Sequence, residues 1–143
     1  MFQGASSISL DAKGRISIPA RHRDALLLQC EGRLTLTRHP LDECLQLFPR
    51  PVWEILSEKI AAWPMSARSE QRILLAHAQP VEIDASGRIL ISPELRLAAG
   101  LKREVMMLGM GSRFEIWDTE RYAESEAKAK AAGISDVLLN FSF

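Results

Sequence analysis

Apolar and polar residues alternate in two stretches of the chain, Ile8 to Ile18 and Val81 to Ile91. The apolar positions are Ile8, Leu10, Ile16 and Ile18 in the first and Val81, Ile83, Ile89 and Ile91 in the second. A period of two sends successive side chains to opposite faces, so each stretch predicts two short, half-buried strands. Between the strands lie Ala12, Lys13 and Gly14, or Ala85, Ser86 and Gly87. Each trio has the length of a three-residue hairpin loop whose last position favours positive φ, which glycine adopts without a Cβ clash. Both stretches therefore read as β-hairpins, with Asp11 and Arg15, or Asp84 and Arg88, on the polar face flanking the turn.

The second stretch repeats the first at a displacement of 73 positions, so one unit has been used twice. Downstream, Leu45 to Phe48 followed by Trp53 matches Phe114 to Trp117 followed by Tyr122. Each half thus predicts a hairpin, a short helix, strands and a longer helix. Pro19 opens a helix from Ala20 to Leu28; Ser92 as N-cap and Pro93 at the first helical position open one from Glu94 to Ala99, stopped by Gly100. Strands are expected at 33–37, 44–48, 104–109 and 113–117, split by turn residues such as His39, Pro40 and Gly109 to Ser112. Helices over 52–63 and 66–78 bridge the halves, and a last helix runs from Asp118 or Thr119 to Gly133 through Glu, Lys and Ala, the composition of a solvated face. The expected divisions are a first repeat at 5–49, a helical connector at 50–76, a second repeat at 77–120, and a C-terminal helix and tail at 121–143. The end, Val137 to Phe143, is apolar and uncapped, and reads as frayed or as packed on a neighbouring subunit.

Composition narrows the class. A chain of 143 residues, 47% hydrophobic, can bury a real core. No basic stretch precedes a long apolar run at the start, and no apolar run approaches the length of a membrane span, so a cytoplasmic protein without a membrane partner is expected. Cys30 and Cys44 are too few for a disulfide framework and read as buried thiols. His22, His39 and His77 fall in different elements without ligand spacing, so no metal is expected, and Trp53, Trp63 and Trp117 read as core or subunit contacts. With no glycine-rich phosphate loop, nucleophile elbow or triad, neither an enzyme nor a cofactor is expected.

The formal net charge is zero, which looks unpromising for a nucleic-acid binder, yet the charge is unevenly placed. From Met1 to Pro40, six bases (Lys13, Arg15, Arg21, Arg23, Arg33, Arg38) face three acids, and from Phe114 onward three bases face six acids. The chain is polarised with its positive end first.

Met1, Phe2 and Gly4, then Leu10, Asp11, Lys13, Gly14 and Arg15 followed by Ile18, Pro19 and Arg23, then Asp84, Gly87 and Arg88, and finally Phe114, Glu115 and Trp117 stand in one order. Over nearly its whole length the chain resembles the MraZ family of bacterial transcriptional regulators. The resemblance implies a mixed α+β, mainly β fold: a swapped-hairpin, AbrB-like double-split β-barrel formed by interleaving two tandem repeats, with connecting and C-terminal helices. It also implies a ring-shaped homo-oligomer of roughly eight or more subunits. Its members bind G-rich direct repeats in double-stranded promoter DNA ahead of a cell-wall and division gene cluster that includes their own gene. They usually act as repressors, which implies a nucleoid-associated protein.

Residue by residue, Arg15 is the leading candidate for DNA contact, because an exposed arginine beside a glycine turn reaches phosphate or the guanine N7 and O6 pair. Its bland alternative is a salt bridge to Asp11. Lys13 at the loop tip suits a phosphate, and Gly14 and Arg21 complete the expected first-repeat surface. Arg88 offers a second, weaker contact or serves only the fold. Asp11, Asp84 and Gly87 are expected to build the motif, and Arg23 with its counterpart Arg96 suits a structural salt bridge better than DNA. Lys13, Arg21 and His22 correspond to Ser86, Glu94 and Leu95, so the first half is expected to bind phosphate more strongly. A ring-forming protein-interaction scaffold is the rival reading; an antitoxin is disfavoured because a second folded repeat stands where a disordered toxin-wrapping tail would be.

Overall fold

The computed structural model describes residues 1–143. Eight strands and six helices follow one another as β1 (Ala5–Ser9), β2 (Arg15–Ser17), α1 (Ala20–Cys30), β3 (Arg33–Arg38), β4 (Leu45–Pro49), α2 (Arg50–Ala61), α3 (Arg68–Ala76), β5 (Gln79–Glu82), β6 (Arg88–Leu90), α4 (Pro93–Ala98), β7 (Glu104–Gly109), β8 (Phe114–Asp118), α5 (Thr119–Ala131) and α6 (Asp136–Leu139). A single 3-10 turn at Met65–Ala67 leads into α3. The fold is mixed α+β and mainly sheet, and no helix is long and apolar enough to cross a membrane.

The local pattern placed the strands correctly but not their partners. β1 and β2 do not pair along their length: the turn between them is closed by the Asp11 N–H donating to Arg15 O at 3.0 Å, after which the strands part. β1 pairs antiparallel with β7, Ala5 facing Leu108 and Ser9 facing Glu104. β5 pairs with β3. β2 and β6, the inner arms of the two repeats, pair with each other, with Ile16 opposite Ile89. Two sheets result, a six-stranded antiparallel sheet in the order β1, β7, β8, β4, β3, β5 and a two-stranded ribbon of β2 and β6.

The expected closed barrel does not form. The large sheet ends in two edges, β1 and β5, and the strands that follow them in sequence bond to each other instead of bridging those edges. Burial gives the reason. Ile16, Ile18, Ile89 and Ile91 are almost completely buried in one apolar cluster with Leu34, Leu36, Val105 and Phe114. An isolated hairpin could bury its apolar face only against itself, whereas crossed arms lay both repeats' isoleucines over the large sheet.

Helix ends follow their local chemistry. Ser92 accepts the Leu95 N–H at 3.3 Å as N-cap with Pro93 in the first turn, and Asp118 caps α5 through the Arg121 N–H at 3.3 Å. α1 runs two residues beyond its expected end, to Cys30, and stops where Glu31 and Gly32 take positive φ. Cys30 and Cys44 are both buried. Trp53 packs on Phe48 beneath α2, and Trp117 meets Tyr122 edge-on, whereas Trp63 stays substantially exposed.

Candidate nucleic-acid interface

The β2–β6 ribbon buries one face and shows the other. Ile16 and Ile89 point inward, so alternation sends Arg15, Ser17, Arg88 and Leu90 outward. Arg15 lies opposite Leu90 and Ser17 opposite Arg88, which sets the two arginines on a diagonal of roughly 7–8 Å. A two-stranded ribbon of this kind is narrow enough to enter a DNA major groove.

Each end of the ribbon is finished by a turn built the same way. Asp11 Oδ1 accepts the backbone N–H groups of Lys13 and Arg15 at 2.9 and 2.8 Å, and Asp84 Oδ1 accepts those of Ser86 and Arg88, both at 2.9 Å. The side chains then pair: Arg15 Nε lies 3.0 Å from Asp11 Oδ2 and Arg88 Nε 3.4 Å from Asp84 Oδ2. The Arg15 and Arg88 backbone N–H groups are the main reason that the two carboxyls are held below the ordinary aspartate value, aided by the adjacent guanidinium charges. The Arg15 charge also reaches Asp84, so the two motifs share one electrostatic surface. Both aspartates therefore stay ionised at neutral pH and hold their arginines extended along the outer face.

Gly14 and Gly87 take φ of 86° and 78°, as the turn requires. Each also leaves room for an arginine from the opposite repeat. Arg96 covers Gly14 while its Nε donates to Ile91 O at 3.0 Å, and Arg23 covers Gly87 while its Nη2 donates to Ile18 O at 2.8 Å. Gly14 O accepts the Ile91 N–H and Gly87 O accepts the Ile18 N–H, at 2.8 and 2.9 Å. Arg23 and Arg96 thus brace the turns through backbone carbonyls. The expected salt bridge is absent because neither guanidinium has a carboxylate partner.

Arg15, Lys13 and Arg88 thus share the ribbon and its turns. Gly14 lies beneath them with both backbone groups committed inside the protein. Arg21 is turned toward β1, its Nη2 donating to Ser6 Oγ at 2.7 Å and its Nε to His22 Nε2 at 3.2 Å. His22 is wedged between Phe2 and Phe114, and burial, then the Arg21 charge, lowers its pKa.

One family model, described as "MraZ protein, putative antitoxin-like", matches twice, over residues 1–75 and 74–138. The chain belongs to the MraZ family. It is 70% identical over all 143 residues to the transcriptional regulator MraZ of Herminiimonas arsenicoxydans, and both chains are covered completely. Over the same complete span it is 68% identical to the protein of that name from Janthinobacterium sp. (strain Marseille) and 62% identical to that from Bordetella pertussis (strain Tohama I). The MraZ family is one of transcriptional regulators and not of enzymes.

Two features of this MraZ surface escape a reading along the chain. Arg103 lines a concavity with Ser9, Leu10, Asp11 and Ala12 beside the first turn. It comes from the second repeat and is brought there by the β1–β7 pairing, where Leu10 N–H donates to Arg103 O at 2.8 Å. No local spacing announces that contact. The bracing by Arg23 and Arg96 had a signal, since both residues recur at the repeat displacement, but their target glycines lie in the other repeat.

Proposed function

We propose that this MraZ-family chain regulates transcription by binding double-stranded DNA through the β2–β6 ribbon. The observation that carries the proposal is the outward pair Arg15 and Arg88 on a groove-sized ribbon, with Lys13 exposed at one turn. Arg15 reads a base edge, guanine N7 and O6 being the bidentate match for its fork, Lys13 neutralises a phosphate, and Arg88 makes a weaker second contact. Gly14 acts by shaping the turn, and Arg21, held on β1, contributes through the local positive potential. Asp11 and Asp84 orient the arginines until DNA displaces the pairing.

We read the crossed strands as the swapped-hairpin, AbrB-like arrangement of two repeats, 5–49 and 77–120, joined by a connector at 50–76 and followed by 121–143. One ribbon offers few phosphate contacts, so the proposal includes a ring homo-oligomer that presents equivalent ribbons to successive G-rich direct repeats. Binding of the first raises the effective concentration of the next. The expected operators lie upstream of a cell-wall and division gene cluster containing the chain's own gene, with repression as the outcome and a cytoplasmic, nucleoid-associated protein as the setting.

The rival, a ring scaffold for protein partners, draws on the pairing of each arginine with its own aspartate, which offsets both arginine charges of the ribbon. Fluorescence anisotropy at fixed moderate salt separates the two, using the native upstream DNA and a shuffled sequence. The regulator reading expects preference for the native DNA and a loss of about ten- to a hundredfold in Arg15→Ala. Equal, weak binding of both DNAs by both proteins would favour the scaffold.

A further inference from the structure

The C-terminal segment has no partner in its own chain. α5 touches the body through its first two turns, where Thr119, Arg121, Tyr122 and Ser125 are half-buried, and every residue from Glu126 to Phe143 is exposed. The helix continues to Ala131, about 9 Å beyond its last packed residue at 1.5 Å per residue. It carries off the body an apolar terminus in which Ile134, Val137, Leu139, Phe141 and Phe143 are each more than half exposed. α6 is a single turn, capped by Ser135 but supported by no packing. Such a turn has little stability of its own, so its order and its apolar side chains require a surface.

A matching surface lies elsewhere on the chain. α2, β4 and the β7–β8 loop enclose a groove of about 500 Å³, with Phe48 and Ile60 buried in it and Ile55 and Trp63 exposed along it. Trp63 also lines an adjoining concavity with Leu41, Pro64 and Glu70, which extends the surface. The groove's only charged lining residues are Lys59 and Arg113, and the only charge on α6 is Asp136. The two surfaces are complementary in apolar character and opposite in charge, while α5 holds the tail away from its own body.

We propose that residues 134–143 of one chain dock in the α2 groove of a second copy, in a helix-in-groove contact with Asp136 toward Lys59 and Arg113. The contact is heterologous, tail to groove, so the copy that gives its tail keeps its groove free, and the copy that gives its groove keeps its tail free, for further neighbours. Such contacts build rings when the rotation closes. The inference does not depend on DNA being the ligand. It supplies the interface that the proposed homo-oligomer needs.

Light scattering and disulfide trapping on the full chain test it. The wild type is expected above its 16.0 kDa monomer mass. Deleting residues 134–143 should lower that mass, and Ile55→Asp and Leu139→Asp should each weaken association by about tenfold or more, with unchanged circular dichroism because both positions are exposed. A tagged Ile55→Cys chain mixed with an untagged Val137→Cys chain should give a mixed disulfide, uncomplicated by the buried Cys30 and Cys44. A disulfide formed only within a chain carrying both substitutions would put the tail on its own body and overturn the proposal. An assembly whose mass survives the deletion would overturn it while leaving the ring standing, and a wild-type monomer would remove both.

Discussion

The two turns of the ribbon are alike in what builds them and unlike in what they show. Asp11 and Asp84, Gly14 and Gly87, Ile16 and Ile89, and Arg23 and Arg96 occupy corresponding positions and make corresponding contacts. At the surface the match ends, for Lys13 and Arg21 stand where the second repeat has Ser86 and Glu94. The shared residues build each turn within its own repeat or cross to the other, and since each turn is braced by an arginine from the other half, a change in one would unbalance both. Residues that face solvent are free of this constraint, and there the molecule becomes electrically one-sided.

The largest expected effect tests the symmetry of the core. Ile16→Ala and Ile89→Ala each empty a buried site on the ribbon's inner face and should cost about 2–5 kcal/mol in denaturant unfolding, by similar amounts. Widely different losses would show that one repeat carries the packing. Next come the glycines. A Cβ at Gly14 would meet Ile91 O at 2.9 Å, a backbone atom that cannot move aside, as well as Arg96, whereas its three nearest neighbours at Gly87 all belong to the flexible end of Arg23. Both substitutions to alanine are strained by positive φ, at about 1–3 kcal/mol, and Gly14→Ala should be the worse of the two by the same unfolding measurement.

A smaller effect sharpens the surface difference. Lys13→Ser should lower the slope of log affinity against log salt by about 0.9, the share of one phosphate contact, and Ser86→Lys should raise it by a similar amount. Identical slopes in both variants and the wild type would remove Lys13 from the interface.

The smallest expected effect concerns His22. Its folded pKa lies below 6.5 because burial, then Arg21, disfavours the charged ring. The unfolded chain therefore takes up a proton first on acidification, and stability present above pH 6.5 is lost as the pH falls toward the folded value. His22→Leu, which copies the second repeat, should shrink the drop in melting temperature between pH 7.5 and pH 5.5. An unchanged drop would assign the acid sensitivity elsewhere. The aspartates follow the same sign at lower pH: their folded values lie below 3.8, so their support of the turns is complete at neutral pH and lost only as the pH falls through those values.

The sequence by itself determined the elements and much of the motif chemistry. Period-two alternation located β1, β2, β5 and β6, the capping residues located the helix starts, and Asp11, Gly14 and Arg15 act within five residues of one another, where spacing alone constrains contact. Tertiary structure decided which strands pair, because hydrogen-bonding capacity along a strand is the same toward any neighbour and burial across the whole sheet selects among them. That choice sent β1 to β7 and β2 to β6, left the large sheet open, and set Arg103 beside the first turn and Arg23 over Gly87. Contacts between residues tens of positions apart leave no local period, so the bracing of the ribbon became visible only once the two repeats had crossed.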